Sequence, residues 1–273
     1  KLFNSFIRKP HGIILVTGPT GSGKTTTLYA ALNQLNGMER KIITIEDPVE
    51  YQLAGITQMQ VMPQIGFDFA MGLRSILRHD PDTMLVGEIR DYETAEMAVR
   101  SSLTGHLVLS TLHTNDASGA VTRLIDMGVE PFLISSTLLA AIAQRLVRQI
   151  CADCATSFEP DSLVLKEEFG LARDSVGDAN FRIGSGCDAC RHTGYRGRAA
   201  IYEILPFTNE IKQLTVQRAT SVDIKKLALE QGMGTLRSSG WNRVCMGQTT
   251  IEEVLRVTAD VESLQTPSEA TDG

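Results

Sequence analysis

The residues most able to do chemistry stand together at 18–27, GPTGSGKTTT. Gly18, Gly23, Lys24 and Thr25 match G-x-x-x-x-G-K-[ST], between an apolar run (GIILVTG) and a helical pattern (GKTTTLYAALNQLN). Glycines let successive backbone N–H groups turn inward as a nest for an anion, and the following helix aims its positive end at the same point. Gly18, Pro19, Thr20, Gly21, Ser22, Gly23, Lys24, Thr25 and Thr26 are therefore the expected nucleotide-binding residues. Lys24 is expected to neutralise the outer phosphates, Thr25 to ligate Mg²⁺, and Pro19 to stiffen the entry. A chance glycine-rich turn would not carry all eight positions in a strand–loop–helix frame.

Hydrolysis of a bound triphosphate needs carboxylates near water and metal. TIEDPVEY ends one strand with Glu46 and Asp47, and MLVGEIRD ends another with Glu88. Ligands of open α/β sheets bind at those C-terminal edges. Either acid alone is more often a solvated loop residue, but two in a chain with a phosphate loop favour a functional role. Glu88 is read as the water-orienting base, with Glu46 close behind.

His106 and His113 flank one strand, seven apart, so alternation sends them to opposite faces and argues against a shared metal. His113 is placed to sense the γ-phosphate, and His106 is read as structural. Arg74 and Arg78 share a helix face. A solvated basic face is the plainer reading; the sharper one is charge stabilisation across a subunit boundary, as arginine fingers do. Arg90 and Arg123 follow other motifs.

Cys151 and Cys154 form one C-x-x-C, and Cys187 and Cys190 a second. Two such pairs are the signature of a structural tetrathiolate zinc site with no position open for water. Disulfides and a redox C-x-x-C are the weaker readings. Cys245 reads as a small core residue.

The elements that must position these groups alternate. Near-continuously apolar strands are each followed by a helix, which predicts an α/β fold with a mainly parallel sheet covered on both faces. FLISSTLLAAIAQRLV, 132–147, reads as a buried helix, too short and too polar to span a membrane. Asn115 or Asp116 is expected to cap the helix after the histidine strand. Ser221 is expected to cap a later helix that Gly232 stops, and Thr250 and Glu253 stand at capping-box spacing. The expected domains are 1–148, a nucleotide-sized α/β unit; 149–200, the cysteine insert; 201–259, a small helical unit; and 260–273, a disordered acidic tail. The opening KLFNSFIRKP has the character of a helix entered midway, as in a piece of a longer protein.

Composition bounds the partners. The chain of 273 residues is 42% hydrophobic and 21% charged, with net charge −6. Residues 1–148 are nearly neutral, with 13 Lys/Arg against 14 Asp/Glu. No basic stripe marks a nucleic-acid binder, so none is expected as a partner. No run of about 18 apolar residues predicts direct membrane insertion, and five cysteines fit a reduced, cytoplasmic setting.

Together these residues resemble the secretion ATPase superfamily, the motors of type II secretion and type IV pilus assembly. GPTGSGKT is similar to its phosphate loop, TIEDPVEY to its acidic box, MLVGEIRD to its second Walker motif with Glu for Asp, and TGHLVLSTLHTND to its histidine box. The paired C-x-x-C is similar to the metal insert of assembly-type members. The similarity spans Phe6 to Val257. IEDPVEY and GAVTRLIDMGVEPFLISS are most similar to the type II secretion branch, with type IV pilus assembly next.

The resemblance implies a RecA-like P-loop fold with a small tetracysteine zinc-binding insert and a C-terminal helical subdomain. It implies Mg-dependent ATP hydrolysis by a homohexamer that powers pseudopilus assembly and export. Nucleotide would sit where subunits meet. Glu88 would be the catalytic glutamate, Glu46 a member of the acidic box near metal and water, and His113 part of the sensing box. Lys24 and Thr25 would take phosphate and Mg²⁺, and Arg74 and Arg78 would stabilise charge. The implied location is cytoplasmic, peripheral on the inner membrane, held to platform proteins mainly through N-terminal domains expected to lie outside this stretch. A DNA-translocating or conjugation ATPase, and a nucleotide-gated docking subunit, are the rival readings.

Overall fold

The structure is a computed structural model that describes residues 2–37, 40–171, 176–177 and 179–262. It divides into two compact units. One contains Lys1–Gln144 and Glu203–Met233; the other contains Arg145–Tyr202 and Gly234–Gly273.

The first unit is built on β1 (Gly12–Thr17), β2 (Ile42–Glu46), β3 (Thr57–Gln60), β4 (Thr83–Val86) and β5 (Leu107–Leu112). They pair in parallel: β2 with β3 and β4, β4 with β5, and β5 with β1. Every residue of β1, β2, β4 and β5 is buried. A strand covered on both faces has no solvent side to alternate toward, which accounts for runs such as Ile-Ile-Leu-Val. β3, TQMQ, has no buried residue and occupies the sheet edge. Its polar sequence carries no strand signal.

α1 (Leu2–Ile7), α2 (Lys24–Leu35), α3 (Phe69–Ile76), α4 (Tyr92–Leu103), α5 (Gly119–Asp126) and α6 (Pro131–Thr137) connect and cover these strands. Asp68 and Asp91 cap α3 and α4 through their side chains. The N-cap of α5 is Ser118, without a side-chain cap bond, rather than Asn115 or Asp116; Asp116 accepts the Gly119 N–H at 2.9 Å from two residues upstream of that cap.

The segment 132–147 departs from the expected single helix. α6 ends at Thr137, and Leu138–Ile150 form β6, a strand of 13 residues. β6 pairs in parallel with β1, and the sheet order is β3-β2-β4-β5-β1-β6-β9, where β9 is Tyr195–Pro206. Leu and Ala favour helix locally, but ladder pairing with β1 decides the outcome. β9 crosses the expected boundary between the cysteine insert and the helical unit, and its buried Ile201, Glu203 and Leu205 alternate at the strand period.

α8 (Asn209–Val216) and α9 (Ser221–Glu230) complete the first unit, α8 packing on α6. The cap of α9 is Thr220 rather than Ser221, with Asp223 closing the reciprocal box. Gly232, at φ +89, follows its C-terminus.

The second unit holds the C-terminal part of β6 and the N-terminal part of β9. It adds the antiparallel pair β7 (Ala155–Ser157) and β8 (Arg182–Gly184), and α7 (Ser162–Phe169), α10 (Leu236–Cys245) and α11 (Ile251–Glu262). Trp241 packs against Phe169 and Phe181 with ring centroids 4.6 and 5.8 Å apart. Thr250 accepts the Glu253 N–H, but the Glu253 carboxylate does not close the expected box. It is wholly buried and binds the Arg148 N–H and guanidinium and the Arg256 guanidinium, at 2.7–3.0 Å. Two cations outcompete a single backbone donor for a buried carboxylate. α11 carries helix past residue 259, and the remainder of the expected tail lies outside the described residues. No helix among the described residues is long and apolar enough to cross a membrane.

Candidate nucleotide site and metal centre

The phosphate-loop segment leaves β1 at Thr17 and enters α2 at Lys24. Gly18, Gly21 and Gly23 all have positive φ, at +147, +80 and +84, and Gly23 stands at the N-cap of α2 in the left-handed region. A side chain would strain each of these positions, so the glycines shape the loop. Lys24 is buried, and its Nζ donates to the Gly18 and Pro19 carbonyls at 2.8 and 3.1 Å, so the ammonium lies in the concavity of the loop. The Ser22 hydroxyl is buried with no hydrogen-bond partner among the described residues. An orphaned donor beside an ammonium and a helix N-terminus fits a phosphate group.

Two tethers hold the loop, and neither was read from the sequence. Gln144, at the end of the first-unit part of β6, donates to the Ser22 carbonyl at 2.6 Å and accepts from the Thr27 hydroxyl at 2.8 Å. Thr17 donates to the Thr114 carbonyl at 2.9 Å and accepts the Thr114 N–H at 2.8 Å. The first had one sequence signal, a lone amide in an apolar run.

Glu88 follows β4, whose end is pinned by the Gly87 N–H to Ile45, the Thr111 hydroxyl to the Gly87 carbonyl, and the Ile89 N–H to Thr111. Its side chain is 12% exposed and lies between Arg90, at 2.5 Å, and His113 Nε2, at 3.4 Å. The hydrogen bond to Glu88 raises the Arg90 pKa. The structure thus brings two of the expected residues, Glu88 and His113, into one cluster and adds Arg90. His106 is at the other end of β5, 2.8 Å from the Ser101 carbonyl.

Glu46 is placed differently from the expectation of an acid facing metal and water. It is buried, and both carboxylate oxygens are engaged: one by the Tyr29 hydroxyl, the other by Thr44 Oγ1 at 2.5 Å and Gln58 Nε2 at 3.2 Å. Burial first, then the bond to Glu46, push the Tyr29 pKa up. Tyr29 is on α2, so Glu46 ties the end of β2 to the helix that begins the loop.

Arg74 pairs with Glu93 at the surface, and Arg78 donates to the Arg74 carbonyl at 3.0 Å. Within this chain neither is gathered with Glu88, Arg90 and His113.

In the second unit the four expected cysteines converge. Their sulfurs all lie within 4.8 Å of one another. Cys151–Cys187 and Cys154–Cys190 are 3.9 Å apart, and Cys187–Cys190 3.7 Å. A tetrahedron with Zn–S bonds of about 2.3 Å has S···S edges of about 3.8 Å, so the donor set fits zinc. The Cys187 and Gly194 N–H groups donate to Cys190 Sγ at 3.2 and 3.3 Å. Although burial opposes it, these donors bring the Cys190 thiol down to about 6. Gly184 and Gly194 face each other so closely that a Cβ on Gly184 would lie 2.0 Å from the Gly194 carbonyl oxygen. Cys245 is free and half-buried, apart from this cluster.

Comparison with known proteins places these features in context. The family model described as "Type II/IV secretion system protein" matches residues 1–256. The type II secretion system protein E of Aeromonas hydrophila is 50% identical over 259 residues, covering 95% of this chain and 51% of that protein. The type IV pilus assembly ATPase PilB of Myxococcus xanthus is 50% identical over 260 residues, covering 94% of this chain and 45% of that protein. The chain therefore spans about half the length of the curated relatives it matches. Among solved structures, the pilus retraction motor PilT with bound ADP superposes with a TM-score of 0.71 at 28% identity, covering 96% of this chain and 66% of that one.

Proposed function

Because the chain belongs to the type II/IV secretion system protein family, we propose that it is the ATP-hydrolysing part of a secretion motor. The observation that carries this is the convergence of the loop at 18–25 with Glu88 and His113 at the C-terminal ends of adjacent strands. The loop's N–H groups and Lys24 take the phosphates. Thr25 would hold Mg²⁺, which would supply positive charge to the phosphates. Glu88 accepts the proton of the attacking water. Arg90 and His113 fix the direction of that carboxylate, and His113 adds a donor toward the outer phosphate. Glu46 holds α2 through Tyr29, a positioning role. Arg74 and Arg78 are the groups available to a neighbouring copy in a homohexamer.

The finer reading is a type II secretion motor, cytoplasmic and peripheral on the inner membrane, docked on platform proteins and driving pseudopilus assembly. Several type II secretion E proteins at 50–52% identity support it. Type IV pilus assembly is the second reading, supported by the 50% identity to PilB. Nearly balanced charge in the first 148 residues supports a protein rather than a nucleic-acid partner. The tetrathiolate site is read as a zinc scaffold.

Phosphate release should vanish in Lys24→Ala with the circular dichroism spectrum and melting curve retained. Unchanged release in that variant would overturn the ATPase reading. Grafting this region into a secretion-deficient and a pilus-deficient strain's own motor tests the system, and rescue of piliation alone would overturn the type II assignment.

A further inference from the structure

We propose that Lys225, on α9, is a positioning residue for the loop 113–118 that carries His113. The residue lies far along the chain from every motif of the nucleotide site and is nonetheless buried, with its side chain 7% exposed. Its Nζ stands 3.6 Å from Asp116 Oδ2 and 4.0 Å from Glu203 Oε2. Glu203 is wholly buried on β9, and its Oε1 accepts the Ala117 N–H at 2.9 Å. An ammonium and two carboxylates from three separate segments therefore clamp two consecutive residues of one loop. Removing the cation takes positive charge from between the Asp116 and Glu203 carboxylates, and the loop relieves their mutual repulsion by moving.

What the clamp holds leads directly to the site. The Asp116 carbonyl accepts the Thr114 hydroxyl at 2.9 Å. The Thr17 hydroxyl, on the residue before Gly18, donates to the Thr114 carbonyl and accepts the Thr114 N–H. His113, next in the chain, faces Glu88 at 3.4 Å. Asp116 Oδ1 also accepts the Gly119 N–H at 2.9 Å, so the carboxylate that meets Lys225 is fixed on its other side. The path from α9 to the phosphate loop is thus Lys225, Asp116, Thr114, Thr17, each step a contact. Helix α9 sets the loop through this path, and a shift of α9 would alter His113 and Thr17 together.

The functional meaning rests on the ATPase reading; the structural content does not. The test is Lys225→Met in nucleotide-free, uniformly nitrogen-15-labelled protein, read by NMR of the His113 ring and the Thr114 amide. The chain's five histidines keep the ring spectrum assignable. Both signals should shift, and Lys225→Arg, which restores a cation, should return them toward the unsubstituted positions. If Lys225→Met does not fold, Asp116→Asn, which removes charge from the other side, should shift the same two signals. In turnover, Lys225→Met should lower kcat about tenfold with KM for MgATP within about twofold, the pattern of misplaced rather than missing groups. Superimposable His113 and Thr114 signals in both variants, or an unchanged kcat, would overturn the proposal. Failure of the unsubstituted protein to release phosphate would instead count against the ATPase reading, and the NMR comparison would still decide the role of Lys225.

Discussion

Gln144→Leu is the perturbation whose size the structure allows to be worked out. The Gln144 side chain is 1% exposed and supplies the 2.6 Å donor to the Ser22 carbonyl and the 2.8 Å acceptor for Thr27. Leucine fills similar volume, so packing changes little. The Thr27 hydroxyl is half-buried and can turn to solvent, at a cost of about 0.5 kcal/mol. Ser22 is buried, and stranding its carbonyl costs about 1–3 kcal/mol unless the loop shifts to satisfy it. A shifted loop must return to its cradle shape to bind phosphate, so the same energy reappears in affinity. At about 1.4 kcal/mol per tenfold, ADP binding should weaken about 5- to 100-fold. Isothermal titration of ADP into the variant measures this directly, with the melting temperature as companion. A Kd within twofold of the unsubstituted protein, at unchanged melting temperature, would refute the claim that β6 holds the loop.

Glu88→Gln should lower kcat about 100-fold or more with nucleotide affinity nearly kept, whereas Glu46→Gln, which preserves hydrogen bonds to Tyr29, should cost less than about tenfold; the reverse ranking in steady-state kinetics would overturn the assignment of the base. Cys187→Ser should lose about one zinc ion per chain by metal analysis and lower the melting transition seen by Trp241, while Cys245→Ser should keep both; equal metal content in the two variants would exclude the tetrathiolate site. Against the upward push of burial, Arg256 and Arg148 hold the Glu253 carboxylate down to about 2. A depressed carboxylate contributes stability that is present above about pH 4.5 and lost as pH falls toward 2, at most about 3 kcal/mol, and about 1–2 kcal/mol once screening of the exposed guanidiniums is counted. The difference in Trp241-monitored unfolding between the unsubstituted protein and Glu253→Gln should therefore shrink from pH 6 to pH 3, and a constant difference would show that the charge is not its source.

What could be read in advance was whatever is contiguous. The loop at 18–25 needs only neighbours in sequence, and each C-x-x-C is a local chelate, so both stood out. Glu88 was legible because a carboxylate at the end of an apolar run marks a sheet edge. Glu46 shows the limit: its chain position is like that of Glu88, yet its partner Tyr29 is 17 residues away on a helix, and no pattern announces the pairing. Gln144 reaches Ser22 across 122 residues. Leu138–Ile150 reads as helix because Leu and Ala are good helix formers, and only ladder pairing with β1 makes it a strand. β9 begins with arginines and a glycine, and so does not look like a strand until its buried alternation from Ile201 is seen.

The facing pair Gly184 and Gly194 changes how the sulfur site should be sought in other chains. Backbone abutting backbone there, together with the short β7–β8 ladder, brings the two halves of the chelate together at their bases. The number of residues running from one half to the other is then not set by the chelate, and doubling a loop's length costs only about 0.6 kcal/mol. A search keyed to the count of residues separating the cysteine pairs would sort true counterparts by an irrelevant variable. One keyed to two C-x-x-C pairs, with a glycine just before the second and another just after it, would follow the part that geometry holds fixed.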